Sequence, residues 1–153
     1  MSYTQLFKET NIVEELSATE KKGVIEEMVE ITVQRNLCPK NRKKNVLEAI
    51  LEREKLGSTG LGHGIAIPHV KIDGYQGQTC LLARSKAGVD FSAVDGESVF
   101  IFFLLISSSV DAAEHLSILQ WISRMARHQD FTSFVRNAKD TKEILGIIKE
   151  FGG

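Results

Sequence analysis

Apolar residues recur at helical spacing through the first third of the chain. Val24, Ile25, Met28, Val29, Thr32 and Val33 fall on one stripe of a predicted helix, with Ser17-x-x-Glu20 ahead of it as a capping box. Pro39 breaks that helix, and Val46, Leu47, Ile50 and Leu51 mark a second one that Gly57 stops. The pattern then changes character. Gly57 to Gly64 (GSTGLGHG) holds four glycines in eight residues, and Ile65-Ala66-Ile67 follows as a short apolar run before Pro68-His69. Thr79–Arg84 and Val99–Ile106 read as strands, and the unbroken apolar character of the second suggests a central strand covered on both faces. Gly88-Val89-Asp90-Phe91 reads as a short edge strand between them.

Helical spacing returns in the last third. Asp111-x-x-Glu114 can cap a segment whose inner face is His115, Leu119, Ile122 and Ala126, and Asp130 starts a shorter piece bearing Phe131, Phe134 and Val135. Asp140-x-x-Glu143 opens a final helix with Ile144, Ile147, Ile148 and Phe151 on one stripe. Helices on either side of a few strands imply an α/β fold, a three-layer α/β/α sandwich around a small central mixed sheet. Its length suits a single domain over residues 1–153, with Phe102, Phe103 and Trp121 in the core.

Composition narrows the classes. Apolar residues make up 42% and charged residues 25% of the chain, as in ordinary globular proteins. Its 19 basic and 20 acidic residues nearly cancel, which argues against a nucleic-acid binder relying on bulk positive charge. Any anionic ligand must be held by local donors and cations. Cys38 and Cys80 lack CxxC spacing and read as reduced thiols. The N-terminal stretch has no apolar signal region, and Val99–Ile106 is far short of the ~20 residues a membrane helix needs. The expectation is a cytoplasmic protein without membrane insertion.

The glycine cluster is where chemistry is sought, because glycines allow sharp turns and close backbone approach to a ligand. Successive amides there can cradle an anion, or the segment can be a plain tight turn. Two familiar cradles do not fit. Gly57-x-x-x-x-Gly62 is followed by His63-Gly64 where a P-loop needs Lys-Ser/Thr, and Gly60-x-Gly62-x-Gly64 has the wrong spacing for a dinucleotide loop and follows a helix. Neither ATP nor NAD is supported, and no cofactor is expected. Pro68 restricts the backbone from which His69 is presented. A histidine with an ordinary pKa of ~6.5 keeps a neutral fraction whose ring nitrogen is nucleophilic. Phosphoryl transfer to it needs cations and N–H donors around the oxygens. Arg53, at the helix end feeding the glycine segment, can supply a forked donor.

The run from Arg53 to His69 (REKLGSTGLGHGIAIPH) resembles the active-site signature of phosphotransferase-system enzyme IIA domains of the fructose/mannitol type, closest to the nitrogen-regulatory IIA proteins. A weaker resemblance extends from about Leu6 to Phe151. It implies a phosphohistidine phosphocarrier. His69 would accept a phosphoryl group from an HPr-like carrier, His115 would be the neighbouring hydrogen-bond partner and charge stabiliser, and Arg53 the phosphate clamp. The partners implied are that donor and either a IIB component of sugar transport or a regulated transporter or kinase. The alternative is a regulatory binding module, of the nitrogen-regulatory type, whose partner choice depends on His69 phosphorylation.

Ser58, Thr59 and Gly60 are candidate phosphate donors, the two hydroxyls equally readable as turn supports. His63 can line the site, His128 reads as a surface residue, and the histidine spacing lacks the logic of a zinc site. One position departs from the family pattern. Val70 stands where a small residue is usual, and its β-branched side chain restricts the backbone and would crowd an incoming carrier, the one feature favouring a relative that binds without being phosphorylated.

Overall fold

A computed structural model describes residues 2–153. The sheet is built around its longest apolar segment. β6 (Val99–Ser108) pairs antiparallel along one edge with β5 (Gln78–Val89), which in turn holds β1 (Ile12–Val13) in parallel. Along its other edge β6 pairs in parallel with β3 (Ile65–Ala66) and then β4 (His69–Ile72), and β2 (Gly60–Gly62) adds antiparallel to β3. The sheet is mixed, with β6 at its centre.

Alternation along β6 creates two cores. Phe102, Leu104 and Ile106 face α1 (Lys21–Gln34) and α2 (Lys43–Lys55). Ile101, Phe103 and Leu105 face α3 (Ala112–Ala126), α4 (Gln129–Asn137) and α5 (Thr141–Gly152). All six are at most 1% exposed, and burial of each contributes roughly 1.5–3 kcal/mol against full exposure. Both faces of β6 are therefore covered by helices, as its unbroken apolar run implies. The result is the α/β/α sandwich.

Three local expectations are revised. Ser17 does not cap α1. Glu20 does, accepting from the Gly23 amide at 3.2 Å, while the amides of Ser17 and Ala18 are taken by the Glu27 carboxylate. A carboxylate reaching back from inside the helix holds the entering chain extended, so the helix starts at Lys21. Asp111 makes no side-chain cap either. Ser108 accepts from the Val110 amide and caps the short 3-10 turn that leads into α3. Asp140 does cap α5, through the Glu143 amide at 2.9 Å. Finally, Gly88 and Val89 form no separate edge strand. They are the end of β5, where Val89 pairs with Val99 after an irregularity beginning at Arg84. Gly88 has φ +83°, and a Cβ there would meet the Phe100 ring at 2.7 Å.

That irregularity lies beside a buried cation. Arg84 is 1% exposed, and its Nη1 donates to the carbonyls of Val135 and Ala138 at 2.8 and 2.6 Å while Nε donates to Glu14 O at 2.9 Å. The first two carbonyls belong to the C-terminal end of α4, the negative pole of its dipole. One guanidinium therefore ties α4 and the segment after β1 to the sheet. Replacing it leaves the Glu14 and Ala138 carbonyls without this donor, while Val135 O keeps the Ala138 amide, so Arg84→Ala is expected to lower stability by about 3 kcal/mol. Urea denaturation of both proteins checks this, and a loss below about 0.5 kcal/mol would show the clamp to be dispensable.

Candidate active site

β3 and β4 run along the same edge of β6 in one register, Ile65 opposite Ile101 and His69 opposite Leu105. They amount to one strand interrupted at Ile67-Pro68. Proline has no N–H to give to the ladder. The Ile67 amide turns instead to Thr59 O at 3.0 Å, and the ladder resumes where the Leu105 amide donates to Pro68 O at 3.0 Å. The interruption leaves the Ile67 carbonyl available to the side chain two residues on. His69 Nδ1 lies 2.6 Å from it. A carbonyl can only accept, so Nδ1 carries the proton and, in the neutral ring, Nε2 holds the free lone pair.

Pleating directs the neighbours. His69 and Lys71 project to one side of β4, while Val70 and Ile72 enter the core beneath α1 and α2. Val70 is 7% exposed. It fills that core and forms part of the cleft wall, so the expected crowding by its side chain is not what the geometry shows.

β4 lies at the sheet edge where the two helical layers come together. A cleft of 840 Å³ opens there, with Arg53 and Leu56 from the end of α2, His69 and Lys71 from β4, and His115 and Leu119 from α3 among its lining. The structure thus brings together His69, His115 and Arg53. The two imidazole centroids are 5.6 Å apart, with ring planes at 51°. His115 is buried, and its Nδ1 is 2.8 Å from the Ser107 hydroxyl, which leaves Nε2 as the ring nitrogen for the cleft. Arg53 is half-buried, and its Nη1 donates to Gly57 O at 2.8 Å.

Both histidines are held neutral. Burial is the main cause for His69, whose pKa lies below the usual 6.5. The Ile67 carbonyl opposes the shift by favouring the protonated ring, and the positive charge of Arg53 adds to it. His115 is pushed down to about 4, first by burial and then by the charges of His69 and Lys71. A cationic pocket with unprotonated imidazoles is set to receive an anion at a nucleophilic nitrogen.

Ser58, Thr59 and Gly60 do not line this cleft. Ser58 Oγ donates to Phe91 O at 2.7 Å and accepts from the Gly60 amide at 3.0 Å. Both the Thr59 amide and its hydroxyl donate to the buried Glu54 carboxylate, which also pairs with Lys21 at 2.8 Å. The glycine segment is a β-hairpin. His63 and Gly64, at φ +58° and +80°, make its tight turn. The expected cradle is replaced by a hairpin whose donors are used internally. His63 sits at the tip, its amide donating to Asp95 at 3.1 Å, away from the cleft. Among the described residues no three His, Cys, Asp or Glu side chains gather closely enough to hold a metal ion. Cys38 and Cys80 are buried free thiols, and burial pushes the Cys80 thiol up to about 12.

Sequence reasoning missed three residues. Lys71 could have been found, since strand alternation places it on the same side as His69. Ser107 and Glu54 could not, because their partners, His115 eight residues on and Thr59 five residues on, lie across element boundaries that no periodic pattern spans. No helix among the described residues is long and apolar enough to cross a membrane.

Known proteins match the chain over nearly its whole length. The family described as phosphoenolpyruvate-dependent sugar phosphotransferase system, EIIA 2, matches residues 5–151. A nitrogen regulatory protein of Bradyrhizobium diazoefficiens is 33% identical over 148 residues, covering 97% of this chain and 95% of the relative. A fructose-specific EIIA component of Haloferax volcanii is 33% identical over 138 residues, covering 90% and 88%. The crystal structure of the nitrogen regulatory protein IIA-Ntr from Neisseria meningitidis superposes with a TM-score of 0.83 at 28% identity, covering 95% of this chain and 97% of that one. A match over nearly the whole length, with the fold to go with it, establishes that the chain belongs to the EIIA type 2 family of the phosphotransferase system.

Proposed function

We propose that His69 Nε2 accepts a phosphoryl group from the phosphohistidine of an HPr-like carrier and passes it to a IIB component or holds it as a regulatory mark. The observation that carries this reading is the His69 Nδ1 bond to the Ile67 carbonyl, which puts the lone pair on Nε2 beside Arg53 and Lys71. In the transfer one P–N bond breaks on the donor as another forms on Nε2. No proton has to leave Nε2, because it carries none, and the Ile67 carbonyl stabilises the positive charge that develops on the ring. Arg53 and Lys71 face the charge on the equatorial oxygens. With the Ser107 hydroxyl donating to His115 Nδ1, the Nε2–H of His115 is a further donor to those oxygens. The fold tethers His69, His115 and Arg53 before the phosphate arrives, so little reorganisation of these groups is needed during transfer.

A second reading concerns use, and the nitrogen regulatory relatives favour it. Phosphorylation adds roughly −1.5 to −2 charges to a cationic cleft, which can decide whether a partner docks. In this reading the protein is a switch, and sugar transport is not its task.

Incubation with the general phosphotransferase proteins and labelled phosphoenolpyruvate is expected to give an acid-labile, base-stable label on the wild type and none on His69→Ala. Label persisting in that variant would remove His69 as the acceptor.

The fall in transfer rate with falling pH should have its midpoint below 6.5, because the pKa of His69 is lowered from that value. Stability follows a related window. The unfolded chain binds more protons than the folded one between pH 6.5 and about 4 at His115, so stability is full above pH 6.5 and lost as pH falls through that range. Ring-proton NMR titration checks both, and a His115 midpoint at or above 6.5 would contradict the buried neutral ring.

The switch is tested by comparing phosphorylated and unphosphorylated wild type in binding to a IIB domain and to candidate regulated proteins. We expect at least one regulated partner to bind only one state. Equal binding of both states by every partner would exclude a switch.

A further inference from the structure

A second cationic cavity lies on β5 and α4, on the opposite edge of β6 from β4. Arg84 is registered with Ile101 and His69 with Leu105, so the two sites are four residues apart along β6, roughly 13 Å. The cavity measures 400 Å³ and is lined by Arg84, Lys86, Arg136 and Asn137. Three of these are cations and none is acidic. No carboxylate is within ion-pair distance of any of the three cations among the described residues. Like charges gathered in one cavity without a counter-ion repel, and a buried guanidinium is the costliest member of such a set.

The geometry of Arg84 shows where a counter-ion would go. Nε and Nη1 are held by three carbonyls, which fix the plane of the fork. Nη2 has no protein partner among the described residues, and the Arg84 side chain lines the cavity. Arg136 is held against the wall by Phe100, its Cζ 3.6 Å from the ring centroid. The Asn137 amide nitrogen donates to Ser133 O at 2.8 Å and has a second proton to give. The nearby carboxylates are engaged elsewhere. Glu15 accepts from the Lys86 amide and Glu14 from the Thr141 amide and hydroxyl, and neither lines the cavity.

We infer that this cavity binds the phosphate group of a small phosphorylated molecule. Two guanidinium groups, an ammonium and an amide line the cavity from β5 and α4, as suits a tetrahedral dianion better than a flat carboxylate. The volume leaves room for the rest of an ester. Binding would bridge β5 to the C-terminal end of α4, adding an ionic link to the carbonyl clamp already there. It stands apart from His69, so it would neither require nor compete with phosphorylation.

The test is an amide NMR titration with inorganic pyrophosphate at constant ionic strength, on wild type, Arg136→Gln/Lys86→Gln and His69→Ala. Both residues of the double variant are exposed, which leaves the Arg84 clamp intact. Wild type and His69→Ala should show the same saturable shifts at the amides of Lys86 and Asn137, and the double variant should bind at least about tenfold more weakly. Shifts that never saturate, that chloride reproduces, or that persist unweakened in the double variant would overturn the site. Shifts lost in His69→Ala would place the anion in the other cleft and overturn it equally.

Discussion

The site depends on a carbonyl that leaves its sheet. Were residue 68 anything but proline, its amide could join the ladder with β6, and Ile67 and His69 would lie in one uninterrupted strand. Proline breaks the pattern for two residues and then lets it resume in the same register, so His69 is fixed in the sheet at Leu105 while Ile67 O turns to its ring. The result is chemical as well as geometric. It selects the tautomer, and the tautomer selects which nitrogen can attack. The position of the imidazole is then only as secure as β6, and β6 is buried at every position but Phe100.

Each flank of the site comes from a different layer. Arg53 is carried by α2, which packs on one core, and His115 by α3, which packs on the other. They meet only because β4 is at the edge of the sheet, where the layers are no longer separated. Glu54 adds the last constraint. Its carboxylate joins Lys21 of α1 to Thr59 of the hairpin, one residue after the arginine that lines the cleft. The glycine segment therefore acts indirectly. It links α2 to β4 along the chain and gives the Ile67 amide its acceptor, Thr59 O, without lining the cleft itself.

Much of this was legible in the sequence, for reasons that differ by residue. The stripes of α1, α2 and α5 and the apolar run of β6 follow from burial, which leaves a periodic trace. Arg53, His69 and His115 were legible as a signature, and the fold joins them. Ser58, Thr59 and Gly60 were misread because a loop rich in donors looks the same whether the donors face a ligand or the loop itself. The acceptors that engage them, Glu54 and the Phe91 carbonyl, are respectively a helical residue with no distinguishing pattern and a backbone atom 33 positions away from Ser58. Ser17 failed as a cap for a similar reason, since Glu27 competed for the same amides. Val70 misled because its residue type was weighed without its direction, and alternation turns it into the core.

The charges around the cleft explain why one modification can serve both relay and switch. Before transfer the cleft is lined by two cations, two neutral rings and the Glu52 carboxylate, itself paired with Lys55, and the influence of His69 helps to keep His115 unprotonated. A phosphoryl group on His69 reverses the sign of that influence. The same short separation that disfavoured a proton on His115 now favours one, because a dianion stands where a potential cation stood. In the proposed transfer the modification would change the net charge of the cleft and raise the proton affinity of a buried ring in its wall. A partner that reads the first change by docking need not touch His69, while a phosphoryl acceptor must reach it, and both use the same electrostatics. Neutral rings at rest are therefore the condition for a large response on phosphorylation, and burial, helped by the nearby charges of Arg53 and Lys71, is how this fold keeps them so.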